Sequence, residues 1–490
     1  MTLAAIAIPL VKGGSSRTLP LVLAVDLDGT LLRSNMLHET FWSAFAHDWR
    51  LPFAAAAHLG KGKAQLKAML AQRSNVDVTV LPYDDEVIGY IRGWRAQGGK
   101  VALVTATDQR LADRIGAHLG LFDEVFGSDG VRNLKGPNKA AFLVERYGQG
   151  NYAYVGDTHA DDAVWRNSGH AVVKSRSGRV RARAEAHKSF HAIQPPAGSA
   201  KGLLKALRPH QWAKNVLVFL AIAGAHKLLD PDLLLRALGA FVAFSLVASS
   251  VYLVNDLLDL SADRAHARKR KRPFASGAAA IELGLPVTVL LLVAGFAITA
   301  LLGPLFLLTL AIYFITTTAY SLSLKRYPII DICVLAGLYT IRVVAGGVAT
   351  GLPISVWLAA FSLFIFFSLA AVKRQAELVD AVKAGKLQIV GRGYHPDDLE
   401  LVSQMATASG LVSVLVITLY LSSDAVTEIY ARPEALWGVT PVLLFWISRV
   451  IFKAHRGEMH DDPIVFAAKD KVSMICGVLM FGFVMAATIP

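Results

Sequence analysis

Asn255-Asp256-Leu257-Leu258-Asp259-Leu260-Ser261-Ala262-Asp263 closes a long apolar run and leads almost at once into Arg268-Lys269-Arg270-Lys271-Arg272. A run of that length and composition reads as a membrane-spanning helix, which makes this stretch the helix's polar end. Asp256, Asp259 and Asp263 stand at i, i+3 and i+7, so on a helix all three carboxylates turn to one side and repel unless a cation lies between them. Mg²⁺ takes few carboxylates directly and fills the rest of its shell with water and phosphate oxygens. Carboxylates beside a membrane segment are costly and usually functional. Together with the basic run, the stretch predicts a place where Mg²⁺ is held against a diphosphate.

The rest of the chain divides around that reading. Its 490 residues allow two or three domains. From about Arg208 onward apolar runs recur at bilayer length, and nine are expected: 209–229, 232–254, 283–302, 304–323, 328–350, 354–373, 405–423, 433–452 and 472–489. The loops after the even-numbered runs carry about eighteen Lys and Arg against about two or three on the other side, which places them in the cytoplasm. This assigns the net charge of +13 to membrane orientation rather than to nucleic acid. Cys333 and Cys476, the only cysteines, both sit in apolar runs, so neither a disulfide framework nor a cysteine zinc site is expected. Met1 to Leu10 is apolar but short and is followed by Lys12, which predicts no cleaved leader.

Ahead of the membrane part, Leu21–Val25, Val101–Val104 and Tyr152–Val155 read as short apolar strands with helical patterns between them, the signature of a parallel α/β sheet. Each strand ends in polar residues of the kind that gather at the carboxyl edge of such a sheet. The first delivers Asp26-Leu27-Asp28-Gly29-Thr30, the second Thr105, Thr107 and Asp108, and the third Gly156-Asp157-Thr158-His159-Ala160-Asp161-Asp162. Lys139 lies on a helical stretch between the second and third. Carboxylates at one edge can bind Mg²⁺, one of them can attack phosphorus, and a lysine can neutralise the transferring group. The basic stretch Lys174–Lys205, containing Pro195-Pro196-Ala197-Gly198-Ser199, reads as a linker along an anionic lipid surface or as a solvated tether.

These elements, in this order, resemble the haloacid dehalogenase superfamily of phosphohydrolases over residues 20 to 175. The resemblance implies Asp26 as the nucleophile that forms an aspartyl-phosphate and Asp28 as general acid and base. It places the phosphoryl group on Thr105 and Lys139, and Mg²⁺ among Asp26, Asp28, Asp157 and Asp161 or Asp162. The insertion from about 33 to 85 resembles the small helical cap that selects substrates in that superfamily.

The membrane part, from about 203 to the end, resembles the UbiA-type membrane prenyltransferase superfamily, and more finely its decaprenyl-phosphate phosphoribosyltransferase branch. The carriers are Arg208-Pro209-His210-Gln211-Trp212-Ala213-Lys214-Asn215, the acidic and basic stretch from Asn255 to Gly277, Tyr320-Ser321-Leu322-Ser323-Leu324-Lys325, Asp331, Arg342 and Gly346-Gly347. Ala267 stands where the branch usually has proline, which implies a change in loop stiffness. The resemblance implies Mg²⁺ on Asn255, Asp256, Asp259 and Asp263, with Asp256 and Asp259 central to catalysis. Substrate anions would meet Lys214, Asn215, Arg264, Arg268, Lys269, Arg272, Tyr320, Lys325, Asp331 and Arg342. Glu458 to Asp462 reads as a solvated loop or as a gate over that site.

The expected architecture is therefore an N-terminal α/β phosphatase-type domain (1–175, cap about 33–85), a basic linker (176–205) and an all-α polytopic membrane domain of nine helices (206–490). The expected function is transfer of 5-phosphoribose from phosphoribosyl diphosphate to a polyprenyl phosphate, followed by removal of the 5-phosphate, with Mg²⁺ at both sites. The alternative is transfer of a prenyl group from a prenyl diphosphate to an aromatic or lipid acceptor, with the phosphatase serving a separate substrate. A transporter or lipid-binding protein with a fused phosphatase sensor is a third reading, which leaves the acidic and basic cluster without a role. The expected setting is a bacterial-type inner membrane with the N-terminal domain in the cytoplasm and the C-terminus outside. The expected partners are the two substrates and the bilayer, with a second copy of the chain as a further candidate and no nucleic acid.

Overall fold

Val22–Val25 (β1), the apolar run ahead of Asp26, is the central strand of a six-stranded parallel sheet in the order β3-β2-β1-β4-β5-β6. The computed structural model describes residues 22–489 except 61, 130–131, 188, 196–198, 386–391, 424–425, 427–428 and 460–461. Met1–Leu10 and much of the Pro195–Ser199 stretch lie outside those residues. The chain forms two compact units, one of residues 1–207 with 253–287, the other of 208–252 with 288–490.

In the first unit the remaining strands are Lys100–Asp108 (β2), Glu124–Ser128 (β3), Tyr152–Gly156 (β4), His170–Val173 (β5) and Phe190–Ala192 (β6). Leu23 and Val25 pack with Val101, Leu103 and Val155 on one face, while Ala24 packs with Ala102, Val104 and Tyr154 on the other. Burial on both faces is why these strands are continuously apolar. Each fully buried Val or Leu contributes about 1.5–3 kcal/mol. The helices are Met36–Phe45 (α1), Leu51–Leu59 (α2), Lys63–Arg73 (α3), Asp85–Ala96 (α4), Gln109–Leu119 (α5), Pro137–Tyr147 (α6), Asp162–Asn167 (α7) and Gly178–Glu185 (α8). The first three lie between β1 and β2. β6 pairs with β5 through Ala171↔Phe190 to Val173↔Ala192, so the sheet reaches into the stretch expected to be linker.

The second unit is helical, and eight helices of the described chain are long and apolar enough to cross a membrane: Pro231–Leu258, Ile281–Leu302, Pro304–Leu322, Ile330–Thr350, Val356–Lys383, Pro396–Leu421, Pro433–Arg456 and Lys471–Thr488. The first expected span is different. Pro209–Phe219 is 3-10 helix and only Leu220–Gly224 continues as α-helix. Buried Lys214 and Asn215 spend their polar groups on partners inside the unit there. A Cβ at Gly346 would lie 1.9 Å from the Val218 carbonyl oxygen, so only glycine lets this segment lie against Ile330–Thr350. Lys373 to Lys383, expected as loop, continues the helix Val356–Lys383, in keeping with its Ala, Leu, Glu and Gln content. Cys333 and Cys476 are both free thiols.

Candidate active sites

β1 lies between β2 and β4, and each of these strands crosses over to its own side, so the crevice where strand order reverses opens at the carboxyl ends of all three. Asp26, Thr105 and Asp157 come together there. Lys139 Nζ, on α6, donates to Asp26 Oδ1 at 2.6 Å and to the Tyr154 hydroxyl at 2.9 Å. Tyr154 in turn donates to Asp161 Oδ1 at 2.7 Å. Asp26, Asp157 and Asp161 each bring a carboxylate oxygen within 4.8 Å of the others. Gly29 (φ +77) makes the turn, and a Cβ there would fall 2.2 Å from Asp157 Oδ2.

Burial raises the Asp26 carboxyl to about 6 even though Lys139 pulls it down. Asp157 is pushed well above the ordinary range, by burial first and then by the Asp161 and Asp26 charges. Burial opposes the Lys139 ammonium, but the carboxylates of Asp26 and Asp161 outweigh it and hold its pKa above the usual value. Crowded, desolvated carboxylates of this kind are the environment that a divalent cation relieves, so the donor set fits Mg²⁺.

Two of the expected metal residues stand apart. Asp28 directs Oδ1 to the Met36 amide at 2.7 Å and Oδ2 to the Thr107 hydroxyl at 3.4 Å, outside the three-carboxylate group. Asp162 is the first residue of α7 and pairs with Arg166 one turn on at 2.5 Å. Of Asp161 and Asp162, it is Asp161 that stands in the three-carboxylate group, and its Oδ2 also accepts from the Thr158 amide at 3.0 Å. Thr105 is fully buried and its Oγ1 accepts from the Thr107 amide at 3.1 Å. Sequence reading missed Lys67 of α3, whose Nζ reaches the Ala106 carbonyl at 2.7 Å and whose charge acts on Asp28. No local pattern separates it from the other basic residues of that helix.

The acidic stretch belongs to the same unit. The long helix stops at Leu258 and Asp259 caps a short helix, Leu260–Ala265, so the three carboxylates do not sit on one straight helix face. Among the described residues they do not form a three-carboxylate group within one metal's reach. Arg272 Nη1 instead contacts Asp263 Oδ2 at 2.7 Å and Asp256 Oδ1 at 3.2 Å. Arg272 is thus the cation that the structure places between Asp256 and Asp263. Arg264, expected on substrate, is buried in a two-pronged pair with Glu39. Arg268 and Lys269 are exposed, Asn255 lies in the last turn of the long helix, and Lys325 is half-buried in the turn Leu324–Arg326.

In the second unit Lys214, Asn215 and Arg342 converge. Arg342 Nε donates to Asn215 Oδ1 at 2.8 Å, and Nη2 donates to the Tyr313 hydroxyl at 3.1 Å. Asn215 Nδ2 reaches Ser245 Oγ at 2.9 Å. Lys214 Nζ donates to Asp462 Oδ2 at 2.8 Å, Lys373 donates to the same oxygen at 3.1 Å, and Tyr339 adds its hydroxyl at 2.9 Å. Burial alone would raise the Asp462 carboxyl, but Lys373 and Lys214 outweigh it and hold it far below the usual range. Asp462 is thus no solvated loop residue.

Beside this lies a second group. Asp331, fully buried, accepts from the Tyr320 hydroxyl at 2.7 Å and from Arg392 at 3.1 Å, with Arg374 Nε 2.6 Å away. Arg392 also pairs with Glu377 at 3.1 Å. Tyr339 was missed although the signal was present: Asp331, Leu335, Tyr339, Arg342 and Gly346 recur at three- and four-residue steps on one helix. Lys373, Arg374 and Glu377 were missed because their helix was expected to end earlier.

A haloacid dehalogenase-like hydrolase family matches residues 21–169, and the UbiA prenyltransferase family matches residues 215–461. The chain is 38% identical to an uncharacterized protein, y4nM, of Sinorhizobium fredii over 96% of its own length and 91% of that protein's. It is 33% identical to the nodulation protein NoeC of Azorhizobium caulinodans, over 56% of this chain and 88% of that one. A decaprenyl-phosphate phosphoribosyltransferase of Mycolicibacterium smegmatis is 34% identical over 60% of this chain and 94% of its own. A fold of parallel α/β sheet followed by apolar helices, with carboxylates at the sheet edge and cations among the helices, agrees with both matches: the chain belongs to the UbiA prenyltransferase family and carries a haloacid dehalogenase-like hydrolase domain at its N-terminal end.

Proposed function

We propose that this chain transfers 5-phosphoribose from phosphoribosyl diphosphate to a polyprenyl phosphate, releasing diphosphate, and then hydrolyses the 5-phosphate to leave polyprenyl-phosphoryl-ribose and inorganic phosphate. The observation that carries the reading is the set of cationic and polar groups around Asp462: buried Lys214, Tyr339, Asn215 and Arg342, with half-buried Lys373. Cations at this density suit a substrate that carries a sugar 5-phosphate as well as a diphosphate better than a prenyl diphosphate alone. Identity to decaprenyl-phosphate phosphoribosyltransferases supports the same choice.

In the hydrolase domain Asp26 is the attacking carboxylate, Lys139 neutralises the phosphoryl oxygens, and Asp28 exchanges the proton with leaving group and water. Asp26, Asp157 and Asp161 would hold Mg²⁺, which would supply further charge neutralisation at the phosphoryl group. Tethering on one chain gives the hydrolase a high effective concentration of the transferase product. The basic loops face the cytoplasm of a bacterial-type inner membrane, with the C-terminus outside. The Pro209–Gly224 run serves as the ninth crossing, since its 3-10 part rises about 22 Å and its α part about 7 Å.

The test is incubation of the purified protein in detergent with Mg²⁺, radiolabelled phosphoribosyl diphosphate and a polyprenyl phosphate. The expected result is a lipid-linked phosphoribose that accumulates with Asp26→Asn, a ribose lipid with wild type, and neither with Asp256→Asn. If no label enters the lipid phase with any prenyl phosphate, the phosphoribosyl assignment is wrong.

A further inference from the structure

Glu39 and Arg264 are 225 positions apart and form a buried two-pronged pair, Nη1 to Oε2 at 2.9 Å and Nη2 to Oε1 at 2.6 Å. Arg264 spends its third donor, Nε, on the Ala275 carbonyl at 2.9 Å. This guanidinium therefore has its fork committed on both sides, and the geometry fixes Glu39 in direction as well as in distance. A buried ion pair is a poor stabiliser compared with an apolar pair of the same volume, so its distinctive contribution is register.

Glu39 stands on α1, one turn in from the helix start. The start itself is held by Asn35, whose Oδ1 accepts from the Leu37 amide at 3.0 Å, and by Asp28, whose Oδ1 accepts from the Met36 amide at 2.7 Å. Helix α1 is thus moored at one end to the carboxylate that exchanges protons in the hydrolase and one turn on to Arg264. On the other side of Arg264, its neighbour Asp263 shares Arg272 with Asp256. Every link in this series, from Asp28 to Asp256, lies within one compact unit.

We propose that Arg264 is a positioning residue for the hydrolase centre: by fixing Glu39 it sets helix α1 and, through the Met36 amide, the carboxylate of Asp28. The inference rests on the phosphatase reading of Asp26 and Asp28. Its consequence is that the acidic stretch carries part of the scaffold of the hydrolase, so the hydrolase is fully competent only when that stretch is folded in place.

The experiment uses the full chain in detergent with Mg²⁺ and para-nitrophenyl phosphate, comparing wild type, Asp26→Asn, Glu39→Gln, Arg264→Gln, Arg264→Lys and the double variant Glu39→Met/Arg264→Met. The double variant removes both buried charges at once and so keeps a packed pair if a single change unfolds the protein. A displaced Asp28 lowers kcat about tenfold with KM little changed, since misplacement of a proton-transfer group acts on the chemical step. Arg264→Lys, with the charge but not the fork, restores part of the loss. The double Met variant is no worse than either single change, because the two residues act as one unit. Wild-type kcat in the folded double Met variant overturns the proposal. If wild type releases no more phosphate than Asp26→Asn, the phosphatase reading itself has failed. The positioning is then read from amide hydrogen exchange at Met36–Phe45, where faster exchange in the double Met variant is expected and unchanged exchange overturns it.

Discussion

Asp462 Oδ2 lies 2.8 Å from Lys214 Nζ, joining a loop near the end of the chain to a residue 248 positions earlier. With Lys373 at 3.1 Å and the Tyr339 hydroxyl at 2.9 Å on the same oxygen, the carboxylate is held by two ammonium groups and a phenol. An internal anion of this kind keeps the buried Lys214 ammonium and the half-buried Lys373 ammonium from standing uncompensated.

Asp462→Asn is therefore expected to act in two directions. It lowers thermal stability, because truncating one member of a buried ion pair costs about 3–5 kcal/mol. It also strengthens binding of inorganic diphosphate several-fold by releasing Lys214 and Lys373. A melting scan and a calorimetric titration check the two effects; a variant with weaker diphosphate binding would show that Asp462 supports the anion rather than competing with it.

Asp161 and Asp162 should separate cleanly. Asp161→Asn removes one of three clustered carboxylates and is expected to raise the Mg²⁺ concentration for half-maximal phosphate release by about 10–100-fold. Asp162→Asn loses only its surface pair with Arg166 and should stay within about twofold, as exposed pairs contribute about 0–1 kcal/mol. Equal effects would mean that both carboxylates meet the metal.

His170 gives the hydrolase domain an acid-sensitive point. Burial, with His191 nearby, holds its imidazole down at about 4, against an ordinary value of 6.5. The unfolded chain then takes up a proton below 6.5 that the folded chain refuses. Stability from this residue is thus complete above 6.5 and falls as pH drops towards 4, by about 3 kcal/mol in all. Between pH 7 and pH 4.5 the melting temperature of wild type should fall more than that of His170→Asn; a parallel fall in both would exclude His170 as the cause.

Much of the hydrolase centre was legible because its residues follow strand ends. Once β1, β2 and β4 are recognised, Asp26, Thr105 and Asp157 must meet at one edge, since parallel strands all present their carboxyl ends on the same side. Lys67 and Tyr154 were not legible, because which basic or aromatic residue reaches that edge depends on how the cap helices and β4 pack. Strands β3, β5 and β6 were overlooked because they are short or lie in polar surroundings.

The two-part architecture, the apolar helices and the carboxylate-edged sheet were determined by the sequence alone. Periodicity, run length and strand-end motifs are local properties, written within a few neighbouring residues. Tertiary structure decided which charges remain for a ligand. Arg264 looks like its basic neighbours until Glu39 arrives from 225 positions away to claim it. Asp462 looks like a loop acid until Lys214 and Lys373 close on it. A buried charge is stable only with its partner, and the partner is chosen by packing over distances that no local pattern in the chain records.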